Sequence, residues 1–250
     1  MTEREIELDG GNASGRVVRV GDTVRKPWLD TTESVQRYLE HLANNHVDVP
    51  RIMARDDSGR QIIEYIDGPI AMDRLPLADP DLGRVGRMIR ELHDSSEGFN
   101  FSSLDDAAML LPAQNPDLMC HNDLAPWNLV IGPRWVFIDW DGAGPSTRLW
   151  DLAYAAQSFA MLFDGQPVGA AALRLRALID GYGASDDLRD ALPDAMFART
   201  TAMYDMLRES HDAGRQPWSR MFADGHGDFW MSTAEYVRRN RSHWADALVH

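Results

Sequence analysis

The segment Cys120-His121-Asn122-Asp123-Leu124-Ala125-Pro126-Trp127-Asn128 holds a carboxylate and a carboxamide five residues apart, in the pattern H-x-D-x-x-x-x-N. Eleven residues further on comes Asp139, inside Val136-Phe137-Ile138-Asp139-Trp140-Asp141. Residue types in this order suit phosphoryl transfer, where the protein supplies positioning and charge more than covalent chemistry. A carboxylate at Asp123 can accept a hydroxyl proton and aim that oxygen at a γ-phosphate. Asn128 offers a hard oxygen to Mg2+, and Asp139 a charged one; magnesium favours such sparse carboxylate and amide ligation, completed by phosphate and water. The motif alone is weak. It gains weight from its setting: an apolar run after Asn128, a short turn, an apolar run into Asp139, and an upstream sheet carrying the chain's single lysine. All but one of the 25 basic residues are arginine, and the exception is Lys26. A compact ammonium reaches a phosphate oxygen and a carboxylate together in a tight site where a planar fork needs more room. His121 reads as a structural hydrogen-bonder rather than a proton carrier.

These residues need elements to hold them. In the first third, Ile6 to Leu8 reads as a short strand, followed by a turn from Asp9 to Gly15 rich in residues that tolerate positive φ. Arg16 to Val20 and Thr23 to Lys26 form a hairpin around Gly21-Asp22. Asp30 to Asn45 is a helix, with Val35, Tyr38, Leu39 and Leu42 on one face, and Asp30 with Glu33 forms a capping box at its start. A second strand pair, Arg51 to Ala54 and Gln61 to Tyr65, follows, and Asp67-Gly68-Pro69 marks a lobe boundary. Beyond it the chain is mainly helical, from Asp81 onward, over Leu149 to Phe163, Ala170 to Tyr182, Leu188 to Ser210 with a kink or restart at Pro193, and Thr233 to Val249. The exception is a hairpin, Asn128 to Ile131 with Trp135 to Ile138 around Gly132-Pro133, which brings Asn128 and Asp139 to one end. The pattern is α+β: a small sheet with one helix, then a helical lobe carrying a small hairpin.

Composition bounds the function. The chain has 250 residues, 44% of them hydrophobic, with 39 acidic residues and a net charge of -14. That is enough apolar content for a buried core and excludes wholesale disorder. The acidic balance argues against nucleic-acid binding, and no apolar run is long enough to span a membrane. One cysteine, Cys120, excludes an intrachain disulfide and a Cys-rich zinc site, and suits a reducing compartment. The charged N-terminus, Met1 to Asp9, has no apolar signal core, so the expected location is the cytoplasm. The excess acid is not concentrated in the last hundred residues, which are net -4 against -10 for the first 150; this weakens the case for a polycationic partner.

His121-Asn122-Asp123 through Asn128, Ile138-Asp139-Trp140-Asp141, and Leu149-Trp150-Asp151-Leu152-Ala153 together resemble the aminoglycoside phosphotransferase family, small-molecule kinases with the protein-kinase-like fold. Val24-Arg25-Lys26-Pro27 and Glu64-Tyr65-Ile66-Asp67-Gly68 are weaker matches in the same order. The resemblance implies a two-lobed molecule, with a nucleotide-binding lobe over residues 1–67 and a catalytic, substrate-binding helical lobe over 68–250. It implies Asp123 as catalytic base, Asn128 and Asp139 as magnesium ligands, and Lys26 on the α- and β-phosphates. Glu64 and Ile66 would offer backbone groups to the adenine, and Asp151 would brace the catalytic loop. A helix carboxylate should pair Lys26; Glu33 is preferred to Glu40. Asp141 either joins the metal site or only shapes the turn, with the turn preferred, and its presence where protein kinases have a glycine argues against a protein kinase. There is no G-x-G-x-x-G; Gly11 and Gly15 bracket a short loop instead. The expected cofactors are ATP, with GTP the alternative, and Mg2+. The expected acceptor is a hydroxyl of a small molecule, cationic in one version: an antibiotic or related natural product first, then a sugar, choline-like or nucleoside metabolite. A non-catalytic, toxin-binding immunity protein on the same scaffold is the reading from a different class.

Overall fold

The computed structural model describes residues 4–8, 15–101 and 109–249. Short strands β1 (Ile6–Glu7), β2 (Val18–Val20), β3 (Thr23–Lys26), β4 (Ile52–Arg55) and β5 (Gln61–Glu64) form one antiparallel sheet in the order β1-β2-β3-β5-β4. Lys26 ends β3 opposite Gln61 of β5. The expected loop between Gly11 and Gly15 falls outside the described residues, apart from Gly15. Helix α1 (Thr32–Asn44) buries Val35, Tyr38, Leu39 and Leu42, the stripe read from the sequence. Its start differs from expectation. The N-cap is Thr31 and makes no side-chain cap bond, while the Thr32 hydroxyl accepts from Leu29 N at 2.8 Å. The helix opens one residue later than the capping box requires, so Asp30 lies before the cap and the Asp30–Glu33 box does not form.

The rest of the chain is helical around two small β pairs. After α2 (Asp79–Ser96) come β6 (Leu118–Cys120), β7 (Leu129–Ile131), β8 (Trp135–Phe137) and β9 (Gly144–Ser146), then α3 (Arg148–Phe159), α4 (Val168–Tyr182), α5 (Asp186–Asp212), α6 (Trp218–Met221), α7 (Gly227–Arg239) and α8 (Arg241–Leu248). β7 and β8 make the expected hairpin, in register Leu129↔Phe137, Val130↔Val136 and Ile131↔Trp135. β6 and β9 form an antiparallel pair that the sequence did not suggest; Gly144-Pro145-Ser146 has turn residues where a strand is found. Helix α5 runs unbroken through Pro193, which is buried, so packing outweighs the hydrogen bond that proline forfeits. The final expected helix is two. Asn240 ends α7, with its amide Nδ2 donating to Tyr236 O at 2.9 Å, and the Trp244 indole donates back to Val237 O.

One continuous core joins the two parts. Tyr38, Leu39 and Leu42 of α1 share it with Leu82, Val85 and Ile89 of α2, Met119 of β6, Phe137 of β8 and Leu152 of α3. The buried Tyr38 hydroxyl donates to Met119 O at 2.9 Å and bonds Ser96 Oγ, which seats α1 on the strand that leads into the loop of His121 to Asp123. This is a mixed molecule with a small antiparallel sheet and a larger helical part, as expected from the sequence.

Candidate active site

Five elements converge on the site. The loop after β6 carries His121, Asn122 and Asp123; the β7–β8 hairpin carries Asn128 and Asp139 at its open end; β3 delivers Lys26; and α3 and α5 close the floor. The hairpin's last bond, Ile138 N to Asn128 O at 2.8 Å, sets Asn128 and Asp139 side by side. Asp139 then turns the chain in the left-handed region (φ 59°, ψ 65°), a conformation that aspartate tolerates better than most residues. The turn points its carboxylate at β3.

Lys26 is 5% exposed. Its Nζ lies 2.7 Å from Asp139 Oδ1 and 2.8 Å from Asp141 Oδ2. Burial works to lower the ammonium's pKa, but the two carboxylates outweigh it and the net shift is upward. The expected partner was a helix carboxylate. Glu33 and Glu40 are both exposed on α1, and the charge on Lys26 is met from the hairpin side instead. Asp141, for which the sequence reading preferred shaping the turn, is the second carboxylate on Lys26. Its Oδ2 makes an ion pair without hydrogen-bond alignment, so it is a buried acceptor with no hydrogen-bond partner.

Asn128 is buried, and its Nδ2 donates to Asp123 Oδ2 at 2.8 Å and to Asp123 O at 3.0 Å. That orientation leaves the Asn128 Oδ1 as its open acceptor. Burial pushes the Asp123 carboxyl above its ordinary pKa; Asp139 adds to the rise, and His121, Asn128 and Arg199 oppose it. The oxygens of Asn128, Asp139 and Asp141 make a hard donor set suited to Mg2+. Asp141 Oδ2, buried and met only by the Lys26 ammonium, keeps acceptor capacity for such a cation.

The loop is fixed from behind. His121 is buried; its Nε2–H donates to Ile138 O at 3.1 Å, its Nδ1 accepts from Asp123 N at 3.3 Å, and its ring packs on Trp140 with centroids 4.4 Å apart. Both ring nitrogens are thus spent on backbone groups. Asp151, 1% exposed, accepts from Asn122 N at 2.8 Å and pairs with His93 Nε2 at 3.1 Å. His93 Nδ1 meets the Tyr182 hydroxyl. His93 and Asp151 lie close to the Cys120 thiol, but hydrogen bonds already join His93, Asp151 and the loop. Burial pushes the Cys120 thiol up, which keeps it protonated.

Two residues expected at the nucleotide fall into place differently. The Glu64 side chain accepts from Arg134 Nη1 at 2.8 Å and from Arg51 N at 3.2 Å, and its backbone N donates to Arg51 O. Ile66 is buried against Val130, Val136 and Ile138, an apolar floor beside the hairpin. Sequence reasoning missed Arg199 and Tyr154. Arg199, 77 positions from Asn122, reaches the Asn122 carbonyl from α5, and only a cation within the apolar face of a long helix hinted at it.

The fold these features build is protein-kinase-like. Residues 102–193 match the model of the phosphotransferase enzyme family, the segment that carries the loop, the hairpin and Asp151. Among solved structures, the fold is similar to a choline/ethanolamine kinase family protein from Mesorhizobium loti, with a TM-score of 0.67 and 20% identity over 99% of this chain and 92% of that one. It is also similar to an amicoumacin kinase solved with AMP-PNP and Ca2+ (TM-score 0.65, 12% identity, 92% of this chain and 88% of that one). A spectinomycin phosphotransferase solved with ADP and spectinomycin follows (TM-score 0.55, 12% identity, 98% and 92%). No curated protein sequence matches the chain. The resemblance to the aminoglycoside phosphotransferase family stands over the segment that the family model matches. Among the described residues no helix is long and apolar enough to cross a membrane.

Proposed function

We propose that this protein transfers the γ-phosphoryl group of ATP, with Mg2+, to a hydroxyl group of a small molecule in the cytoplasm. The observation that carries the reading is the gathering of Asp123, Asn128, Asp139 and Lys26 at one end of the hairpin. Asp123 orients the acceptor: Asn128 holds its Oδ2, which leaves Oδ1 to accept the hydroxyl proton as the new P–O bond forms and the bond to the β-phosphate oxygen breaks. A carboxyl raised by burial is the stronger base. Lys26 places a point charge at the α- and β-phosphates. The backbone of Glu64 and Ile66 meets the adenine, or the guanine if GTP is the donor, above the Ile66 and Val130 floor. Asn128 and Asp139, joined by Asp141, would hold the metal, which would supply positive charge to the phosphates. Catalysis is then mostly positioning and electrostatics.

The first-choice acceptor is an antibiotic or related natural product, with phosphorylation serving resistance or self-protection. An amino alcohol is the second, favoured by the fold's likeness to the choline/ethanolamine kinase family. A non-catalytic immunity protein would not need a base, two ligands and a phosphate-reaching lysine in one place. The test is Asp123→Asn assayed against a panel of aminoglycosides, spectinomycin, choline, ethanolamine and nucleosides. The variant should melt like the parent and bind Mg-ATP normally, and lose turnover by about 10²- to 10⁴-fold. A stable, ATP-binding variant with full turnover would remove Asp123 as the base.

A further inference from the structure

Arg199 is 4% exposed and sits within α5, yet among the described residues no carboxylate lies within ion-pair distance of it. Its guanidinium lies over the Tyr154 ring at 4.3 Å and near Trp150 at 5.6 Å. Nη2 donates to Asn122 O at 3.3 Å, and Nη1 is buried with no hydrogen-bond partner. A buried, unpaired cation is costly, and an apolar side chain of similar volume in such a place is often neutral or stabilising. Packing between two aromatic rings therefore does not account for an arginine.

The group it holds does. Asn122 has φ 64°, a left-handed conformation that asparagine tolerates better than most residues. Its N–H is taken by Asp151, its Nδ2 donates to Gly142 O and Gly144 O, and its carbonyl is taken by Arg199. That carbonyl belongs to the same peptide as the Asp123 N–H, which His121 Nδ1 accepts. The peptide that leads into Asp123 is thus gripped at both poles, by His121 on one side and Arg199 on the other.

We propose that Arg199 is a positioning residue for phosphoryl transfer, clamping the Asn122–Asp123 peptide from α5 so that the Asp123 carboxylate is held at the acceptor. The functional part rests on Asp123 being the base; the clamp itself does not. The test compares Arg199→Met, Arg199→Lys and Arg199→Ala by melting temperature, Mg-ATP affinity, amide hydrogen exchange, and turnover of the fastest panel acceptor or, failing one, of water. Arg199→Met should melt at or above the parent's temperature and bind Mg-ATP within about twofold. The Asn122 and Asp123 amides should exchange about tenfold faster while those of α4 keep their rates. kcat should fall by about 10- to 100-fold with a smaller change in KM, the scale expected of a loop displaced by under an ångström. Arg199→Lys should be intermediate, and low-millimolar guanidinium chloride, but not sodium chloride, should restore part of the Arg199→Ala turnover. Unchanged exchange and kcat in Arg199→Met would overturn the proposal. So would destabilisation of the whole helical part in both Met and Lys variants without guanidinium rescue. If Asp123→Asn keeps full turnover while Arg199→Met still speeds exchange, the clamp stands and the base assignment fails; the reverse pattern sinks the clamp alone.

Discussion

Lys26 separates what an ammonium and a guanidinium can do. Between Asp139 and Asp141, at 2.7 and 2.8 Å and almost without solvent, there is room for a point charge and not for a planar fork. Lys26→Arg preserves charge, so a purely electrostatic surface role predicts no change. The confined site predicts that kcat/KM falls by about 10²-fold, the scale of a small misplacement of a reacting group; steady-state kinetics on this single variant check it. Asp139→Asn removes one of the two negative charges on Lys26 and leaves a neutral oxygen where a charged metal ligand is proposed; titration with Mg-ATP should show weaker binding, with the melting temperature of the free protein little changed. Asp123, Asn128 and Asp139 were legible in the sequence because one loop and one hairpin link them, and their spacing along the chain fixes their spacing in space. The partner of Lys26 was not. Glu33 looked right by order, yet α1 begins at Thr32 and turns Glu33 to solvent, while the contact with Asp141 spans more than a hundred residues and leaves no local pattern.

The hairpin and helices were readable from apolar periodicity, and the β6–β9 pair was not, because three residues per strand carry too little alternation to register. Yet that pair closes the segment holding the catalytic loop at both ends. A second element-scale feature is the crossing of α2 and α4. A Cβ on Gly86 would lie 2.1 Å from Leu178 O, and one on Gly181 would lie 2.2 Å from Gly83 O. The two backbones meet through glycine, at a distance that backbone atoms cannot yield without moving a helix. Gly86→Ala should therefore destabilise by about 1–3 kcal/mol, the usual range for overpacking, despite alanine's better helix propensity; chemical denaturation measures it. An unchanged or higher midpoint would show that the helices can separate freely. The glycines were visible in the sequence, but only the packed partner distinguishes a close crossing from a weak spot in a helix.

At the scale of the molecule, Arg134 of the hairpin turn ties the helical part to the sheet through Asp48 and Glu64, the latter at 2.8 Å. Burial pushes the Glu64 carboxyl up, and Arg134 and Arg51 outweigh it, so its pKa is lowered. A lowered carboxyl stabilises the fold above its ordinary titration range, and that stabilisation is lost as the pH falls through the lowered value. Arg134→Ala should therefore cost about 0.2–1 kcal/mol at neutral pH, the range for a half-exposed pair, and flatten the loss of stability on the acid side of pH 5; melting curves across pH and salt check both. The core made the two-part architecture legible, whereas this tie, between residues 70 and 86 positions apart, was invisible. The Lys26 cluster has a thermodynamic consequence of its own. With an ammonium already seated between its two carboxylates, the site discourages a bare divalent cation, and with two negative charges against one positive it still repels a bare polyphosphate. Each visitor removes the obstacle to the other: phosphates draw Lys26 away from Asp139, and the cation screens Asp139 from the phosphates. Their binding is reciprocally linked, so ATP or Mg2+ alone should leave the melting curve nearly where it was, and the two together should move it by more than the sum of their separate shifts.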